Sequence, residues 1–136
     1  MFPQGRRAMA HRFPVRVYYE DTDMGGIVYH ANFLKYIERA RSAWVRDLGH
    51  DQNAMRAGGT IFVVRRVEAD FLAPAHYDDV LDVVSEIISA GAAKLVMEQT
   101  VMRDETVLFR ALATVVCLGP DGAPVRLPAN IRQLAR

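Results

Sequence analysis

The sequence predicts an α+β fold in which one long central helix is wrapped by a five-stranded antiparallel sheet. Three observations carry that expectation. Only one stretch, from Asn32 to Gly49, repeats its apolar residues at helical spacing over about four turns. One strand-like run precedes it and four β-branched or alternating runs follow it. The last three runs are joined by connections of hairpin length, which makes them antiparallel neighbours. A single curved sheet packed on the helix is the economical arrangement of these parts.

The first strand is read over Phe13 to Glu20. Val15, Val17 and Tyr19 share one face, and Arg16 and Tyr18 the other, the pattern of a half-buried strand. Gly25-Gly26 then breaks regular structure. From Asn32 the period changes. Phe33, Ile37, Ala40, Trp44 and Leu48 form a stripe that Leu34 and Tyr36 widen. Asn32 is the candidate N-cap, and Gly49 the left-handed residue that ends the helix.

In the second strand Ile61, Val63, Val67, Ala69 and Phe71 alternate, Arg65 interrupts the face, and Pro74 ends the run. The third is Val80 to Ile88, turning at Ala90-Gly91. The fourth is Leu95 to Met102, turning at Arg103-Asp104-Glu105. The fifth runs from Thr106 to Leu118 and is closed by Gly119-Pro120-Asp121-Gly122. A short helix follows Pro128. Long apolar strands with few helices to cover them point to oligomerisation, because unpaired edges invite partners.

The length of 136 residues suits one domain, read here as residues 11–136 behind a flexible extension, 1–10, that carries Arg6 and Arg7. A domain of this size buries roughly two-thirds of its unfolded surface and needs neither disulfide nor metal to fold. The formal net charge of +1 argues against a dedicated nucleic-acid binder. Cys117 is the only cysteine, which excludes an intrachain disulfide. Met9 to Pro14 is too short and polar for a signal peptide, and no stretch reaches the length of a membrane span. The expectation is a soluble cytoplasmic protein with no membrane span.

Chemistry concentrates in Tyr18 to Asn32, where three carboxylates, two glycines and a histidine lie between strand and helix. Asp21 and Asp23 ordinarily shape Asx-turns before glycine. One of them facing a pocket would act as base or nucleophile on a polarised carbonyl. Spacing alone does not choose between them. Gly25 and Gly26 serve a tight turn, or let a substrate approach the backbone. The helix start just beyond supplies unpaired N–H groups and a positive dipole end. Those donors suit a developing oxyanion. His30 suits a general acid or a substrate-orienting donor but is ordinarily a packed or capping residue, and its backbone N–H is expected to matter more than its imidazole. His11, His50 and His76 show no ligand spacing, so no metal is assigned. Glu38 and Arg41 read first as a paired or solvated helix face. No GxSxG elbow and no glycine-rich nucleotide loop occurs.

The run VRVYYEDTDMGGIVYHANFLKYIERAR, Val15 to Arg41, resembles the 4-hydroxybenzoyl-CoA thioesterase family of hotdog-fold proteins, and within it the acyl-CoA thioesterases associated with the Tol-Pal system. A weaker likeness continues through Phe62 to Arg66 and Leu72 to Asp79. The resemblance implies a hotdog fold, homodimers or homotetramers, and hydrolysis of a short-chain or aromatic acyl-CoA, with no cofactor beyond the coenzyme A of the substrate. It places the catalytic aspartate on Asp23, the oxyanion donor on the His30 N–H, and the substrate contacts on Gly25, Gly26, Val28, Tyr29 and Asn32. It also admits acyl carrier protein as a partner. The alternative is a non-catalytic acyl-binding scaffold of the same fold attached to the envelope machinery.

Overall fold

The computed structural model describes residues 10–135. The N-terminal extension, apart from Ala10, lies outside the described residues. Five strands form one sheet: β1 (His11–Arg16), β2 (Ile61–Phe71), β3 (Val80–Ala90), β4 (Lys94–Arg103) and β5 (Thr106–Leu118). Their spatial order is β1-β3-β4-β5-β2, and every neighbouring pair is antiparallel. The three late strands sit side by side, as their short connections require. The two strands that flank the main helix in sequence take the two edges.

That helix, α1 (Ala31–Asp47), lies against the sheet through Phe33, Tyr36, Ile37, Ala40 and Trp44. The core falls into two clusters along its length. Phe33, Tyr36, Ile37 and Ala40 pack with Val83, Val101, Leu108 and Phe109. Trp44 packs with Ile87, Leu95, Met97, Cys117 and Ile131. Leu34, expected in the stripe, is exposed at 42%. Its neighbours Phe33 and Ile37 already fill the face that meets the sheet.

Two sequence irregularities have structural counterparts. Arg65, which broke the alternation of β2, sits where the register with β5 slips between Val64 and Arg66, a β-bulge. Gly49 has φ +91 and ends α1 as the left-handed residue. The turn at Gly119–Gly122 closes with the Gly122 N–H donating to the Gly119 carbonyl. The helix after Pro128 is α3 (Ala129–Arg132).

Three expectations are corrected. The first strand ends at Arg16, and Tyr19–Asp21 is a 3-10 turn. The Asp21 carboxylate accepts from the Tyr18 N–H, and the Asp21 N–H donates to the Tyr18 carbonyl. That local closure pulls Tyr19 out of the face it was to share with Val15 and Val17, leaving it 80% exposed. Asn32 is not the N-cap: His30 precedes α1 with helical dihedrals and without a side-chain cap. A further helix, α2 (Gln52–Ala57), was not expected. At six residues it is too short to show a period, and its visible signal is Asp51, whose carboxylate caps the N–H groups of Asn53 and Ala54. No described helix is long and apolar enough to cross a membrane.

Candidate active site

The strand-to-helix junction is a small hairpin. Thr22 bridges Val28, and the Asp23 N–H donates to the Ile27 carbonyl at 2.9 Å. At its tip the Gly26 N–H donates to the Asp23 carbonyl, and Gly26 takes φ +81, a conformation suited to glycine. Asp23 Oδ1 accepts from the Gly25 N–H at 2.9 Å, which is the Asx-turn expected of such a residue. That is the only hydrogen bond made to its carboxylate among the described residues, so Oδ2 stands open on an exposed residue. A Cβ on Gly25 would lie 3.2 Å from Asp23 Oδ1, so glycine there leaves the carboxylate its room.

Asp21 has a different assignment. Its carboxylate is engaged with the Tyr18 N–H. Its carbonyl accepts from the Tyr29 N–H at 2.9 Å and from Asn32 Nδ2 at 2.8 Å. Asn32 therefore ties the first turn of α1 to the 3-10 turn instead of capping the helix. The Tyr36 hydroxyl is buried nearby, close to the Asp21 carboxylate. Burial raises its pKa, and the Asp21 carboxylate pushes the same way.

The start of α1 is left open. Among the described residues neither the His30 nor the Ala31 N–H has an acceptor, while Asn32 and Phe33 donate backward to the Tyr29 and His30 carbonyls. No acidic side chain lies in the first turn. The positive end of the helix dipole thus meets no acidic side chain of its own first turn. The His30 ring packs between Tyr29, at 4.7 Å, and Phe71 of β2, at 5.8 Å. Tyr29 is half-exposed, while Val28 is buried and joins the core. The junction brings Asp23, Gly25, Gly26, Tyr29, His30 and Asn32 onto one short path of chain, with Val28 underneath as support.

Two supports were not visible in the sequence. Phe71 stacks edge-on against Phe109 and Phe33, so rings run from the core to the His30 imidazole. The loop Ala75–Asp79 holds the hairpin from below. The Ala75 carbonyl accepts from the Val28 N–H, Ile27 bridges His76, and the Asp79 carbonyl accepts from the Val17 N–H. Its fixed point is Asp79, whose carboxylate accepts from the His76 N–H and from Arg103 at 2.9 Å. Burial would raise the Asp79 carboxyl, but the His76 N–H and the Arg103 guanidinium hold it below its ordinary value.

A depressed folded pKa gives stability that is present above the unfolded value, near about pH 4, and lost as pH falls through the folded value. Asp79→Asn should therefore give an acid-unfolding curve flatter than that of the wild type below about pH 4. Circular dichroism against pH checks it, and superimposable slopes would count against the Asp79 anchor.

A sheet of order β1-β3-β4-β5-β2 with its main helix on one face is the hotdog fold of thioesterases. The chain belongs to the thioesterase superfamily, whose sequence pattern matches residues 25–109. The acyl-CoA thioester hydrolase YbgC of Escherichia coli O157:H7 is 43% identical over 122 residues, covering 88% of this chain and 91% of that one. The acyl-CoA thioesterase YbgC of Haemophilus influenzae is 38% identical, covering 88% and 90%. Among solved structures, a probable thioesterase from Bartonella henselae superposes with TM-score 0.84 at 36% identity, covering 88% of this chain and 99% of that one. The protein is thus a thioesterase enzyme. The matched pattern begins at Gly25 and does not include Asp23.

Proposed function

We propose that the protein hydrolyses a short-chain or aromatic acyl-CoA thioester to the free acid and coenzyme A at the Asp23–His30 junction. The observation that carries the reading is the pairing of an open Asp23 oxygen with two unpaired N–H groups at the start of α1. The acyl-CoA hydrolases among the relatives supply the substrate class.

The thioester carbonyl accepts from the His30 N–H, where the helix dipole favours the charge that develops on oxygen. Asp23 takes a proton from water as that water adds to the carbonyl carbon, or adds to the carbon itself. Both routes place negative charge on the carbonyl oxygen. The C–S bond then breaks and the thiolate leaves. In the second route a water afterwards hydrolyses the anhydride formed with Asp23 to release the acid. A thiol ionises near about pH 8.5, so its anion departs without a strong general acid. Gly25 and Gly26 leave space beside the carboxylate, Tyr29 flanks the carbonyl, and Asn32 fixes the helix start. In this reading α1 is the central helix of the hotdog. A thiol-detecting assay over acyl-CoA chain lengths and aromatic acyl groups tests it, and the absence of thiol release from every member would sink it. The same acyl groups presented on acyl carrier protein separate the two carriers. The likeness to Tol-Pal-associated thioesterases extends the reading to a cytoplasmic enzyme serving the envelope machinery.

The reading includes a homodimer or homotetramer. β2 is an eleven-residue edge strand paired, among the described residues, only with β5. It exposes Ile61, Val64, Val67 and Phe71 at 38–50%. An edge this long and apolar is a template for pairing with a second chain. Light scattering of the purified protein should give at least twice the chain mass, and a monomer at micromolar concentration would contradict it.

A further inference from the structure

A cavity of about 150 Å³ lies between α1, α2, α3 and the sheet, at the opposite half of α1 from the Asp23 junction. Trp44, Leu48, Phe62, Ile87, Met97 and Ile131 give it apolar walls. Its nearest residue to the helix start on α1 is Glu38, roughly 12 Å along the axis from His30. Ser42 and Gln52 also line a neighbouring polar cleft with Arg46, His50 and Asn53.

One cation lines this apolar space. Arg41, expected on a paired or solvated helix face, is half-buried, with Glu38 acting on it as a nearby charge. Its Nη1 donates to Gln99 Oε1 at 2.7 Å, and no carboxylate lies within salt-bridge distance of it among the described residues. Gln99 is fully buried, and its amide donates to the Ile37 carbonyl and to Ser85 Oγ, which locks Oε1 toward Arg41. Glu38 is engaged by Ser42 Oγ at 2.8 Å. A guanidinium carries five N–H donors, and among the described residues Gln99 is the hydrogen-bond partner of those on Arg41. Burial lowers its pKa, and Glu38 counters only in part. A partly desolvated cation is costly until an anion meets it.

We propose that this cavity is a binding site for a small monocarboxylic acid, its carboxylate on Arg41 and its apolar body against Trp44 and Ile131. The space is large enough for a small acid, since an apolar cavity of roughly 150 Å³ takes a single benzene ring. A carboxylate matches the flat fork of the Arg41 guanidinium, and the one acidic side chain on the walls, Glu38, is itself held by Ser42 Oγ. The site does not depend on the catalytic reading of Asp23, because free acids rather than thioesters fill it.

Trp44 is the only tryptophan and forms one wall, so its fluorescence reports occupancy. Benzoate and hexanoate should give saturable changes in the full-length protein. Benzamide and hexanamide should bind at least about tenfold more weakly, since they lose the charge-assisted hydrogen bonds. Arg41→Gln should bring acid and amide together, with far-UV circular dichroism reporting whether it folds. Val45→Phe narrows the cavity and keeps Arg41, and it should abolish both signals. Asp23→Asn should bind the acids as the wild type does. Equal affinity for benzoate and benzamide, unaltered binding in Val45→Phe, no saturable change, or loss of binding in Asp23→Asn would each overturn the proposal.

Discussion

Asp23→Asn should lower kcat for acyl-CoA hydrolysis by roughly two to four orders of magnitude, the usual worth of a positioned base. The substitution is isosteric, and an amide oxygen still accepts from the Gly25 N–H, so the hairpin survives. What disappears is the basicity and nucleophilicity of the open Oδ2. Asp21→Asn is the matched control. Its carbonyl, which holds the Tyr29 N–H and Asn32 Nδ2, is untouched. Only the carboxylate that caps the Tyr18 N–H weakens. Asp21→Asn should therefore retain considerably more turnover than Asp23→Asn. Thiol release measured on both variants decides it. Unchanged turnover in Asp23→Asn, or the larger loss in Asp21→Asn, would remove Asp23 from the mechanism.

That contrast marks where the sequence stops being legible. Periodicity located α1 and the late strands, because burial of one face dictates the spacing of Phe33, Ile37, Ala40 and Trp44 and the alternation of the strands. Turn residues located the connections, with glycine at Gly91 and Gly119–Gly122 and Arg103-Asp104-Glu105 between β4 and β5. The roles of Asp21 and Asp23 were not legible in the spacing, because either residue suits an Asx-turn. Only three-dimensional bonding separates a carboxylate engaged by Tyr18 from one left half open. Asn32 illustrates the same limit. As an isolated residue before an apolar run it reads as a cap, yet its amide spans eleven residues of chain to the Asp21 carbonyl. Arg41 likewise reads as a surface charge on a helical wheel until Gln99, from β4, is placed beneath it. Contacts between residues distant in sequence carry no local signal.

The aromatic base of the site joins stability to chemistry, and Phe33→Ala tests the join. Phe33 is the third residue of α1 and 3% exposed. Its ring stacks on Phe109 at 5.1 Å, with planes 7° apart, and meets Phe71 and Tyr36 edge-on. Removing a buried phenyl ring costs about 3–5 kcal/mol, through lost burial and the cavity left behind. Urea unfolding should show that loss in the midpoint without a change in slope. The same ring seats the first turn of α1, and Phe71 on its other side supports the His30 ring. Loosening it shifts the N–H groups that would hold the oxyanion, where a displacement of about 1 Å can cost on the order of a hundredfold in rate. Phe33→Ala, assayed where it is still folded, should lose kcat as well as stability. Phe33→Leu, which refills most of the volume, should recover much of both. A variant that loses about 3 kcal/mol or more yet turns over at the wild-type rate would show that the helix start is held by Asn32 and the Asp21 carbonyl alone.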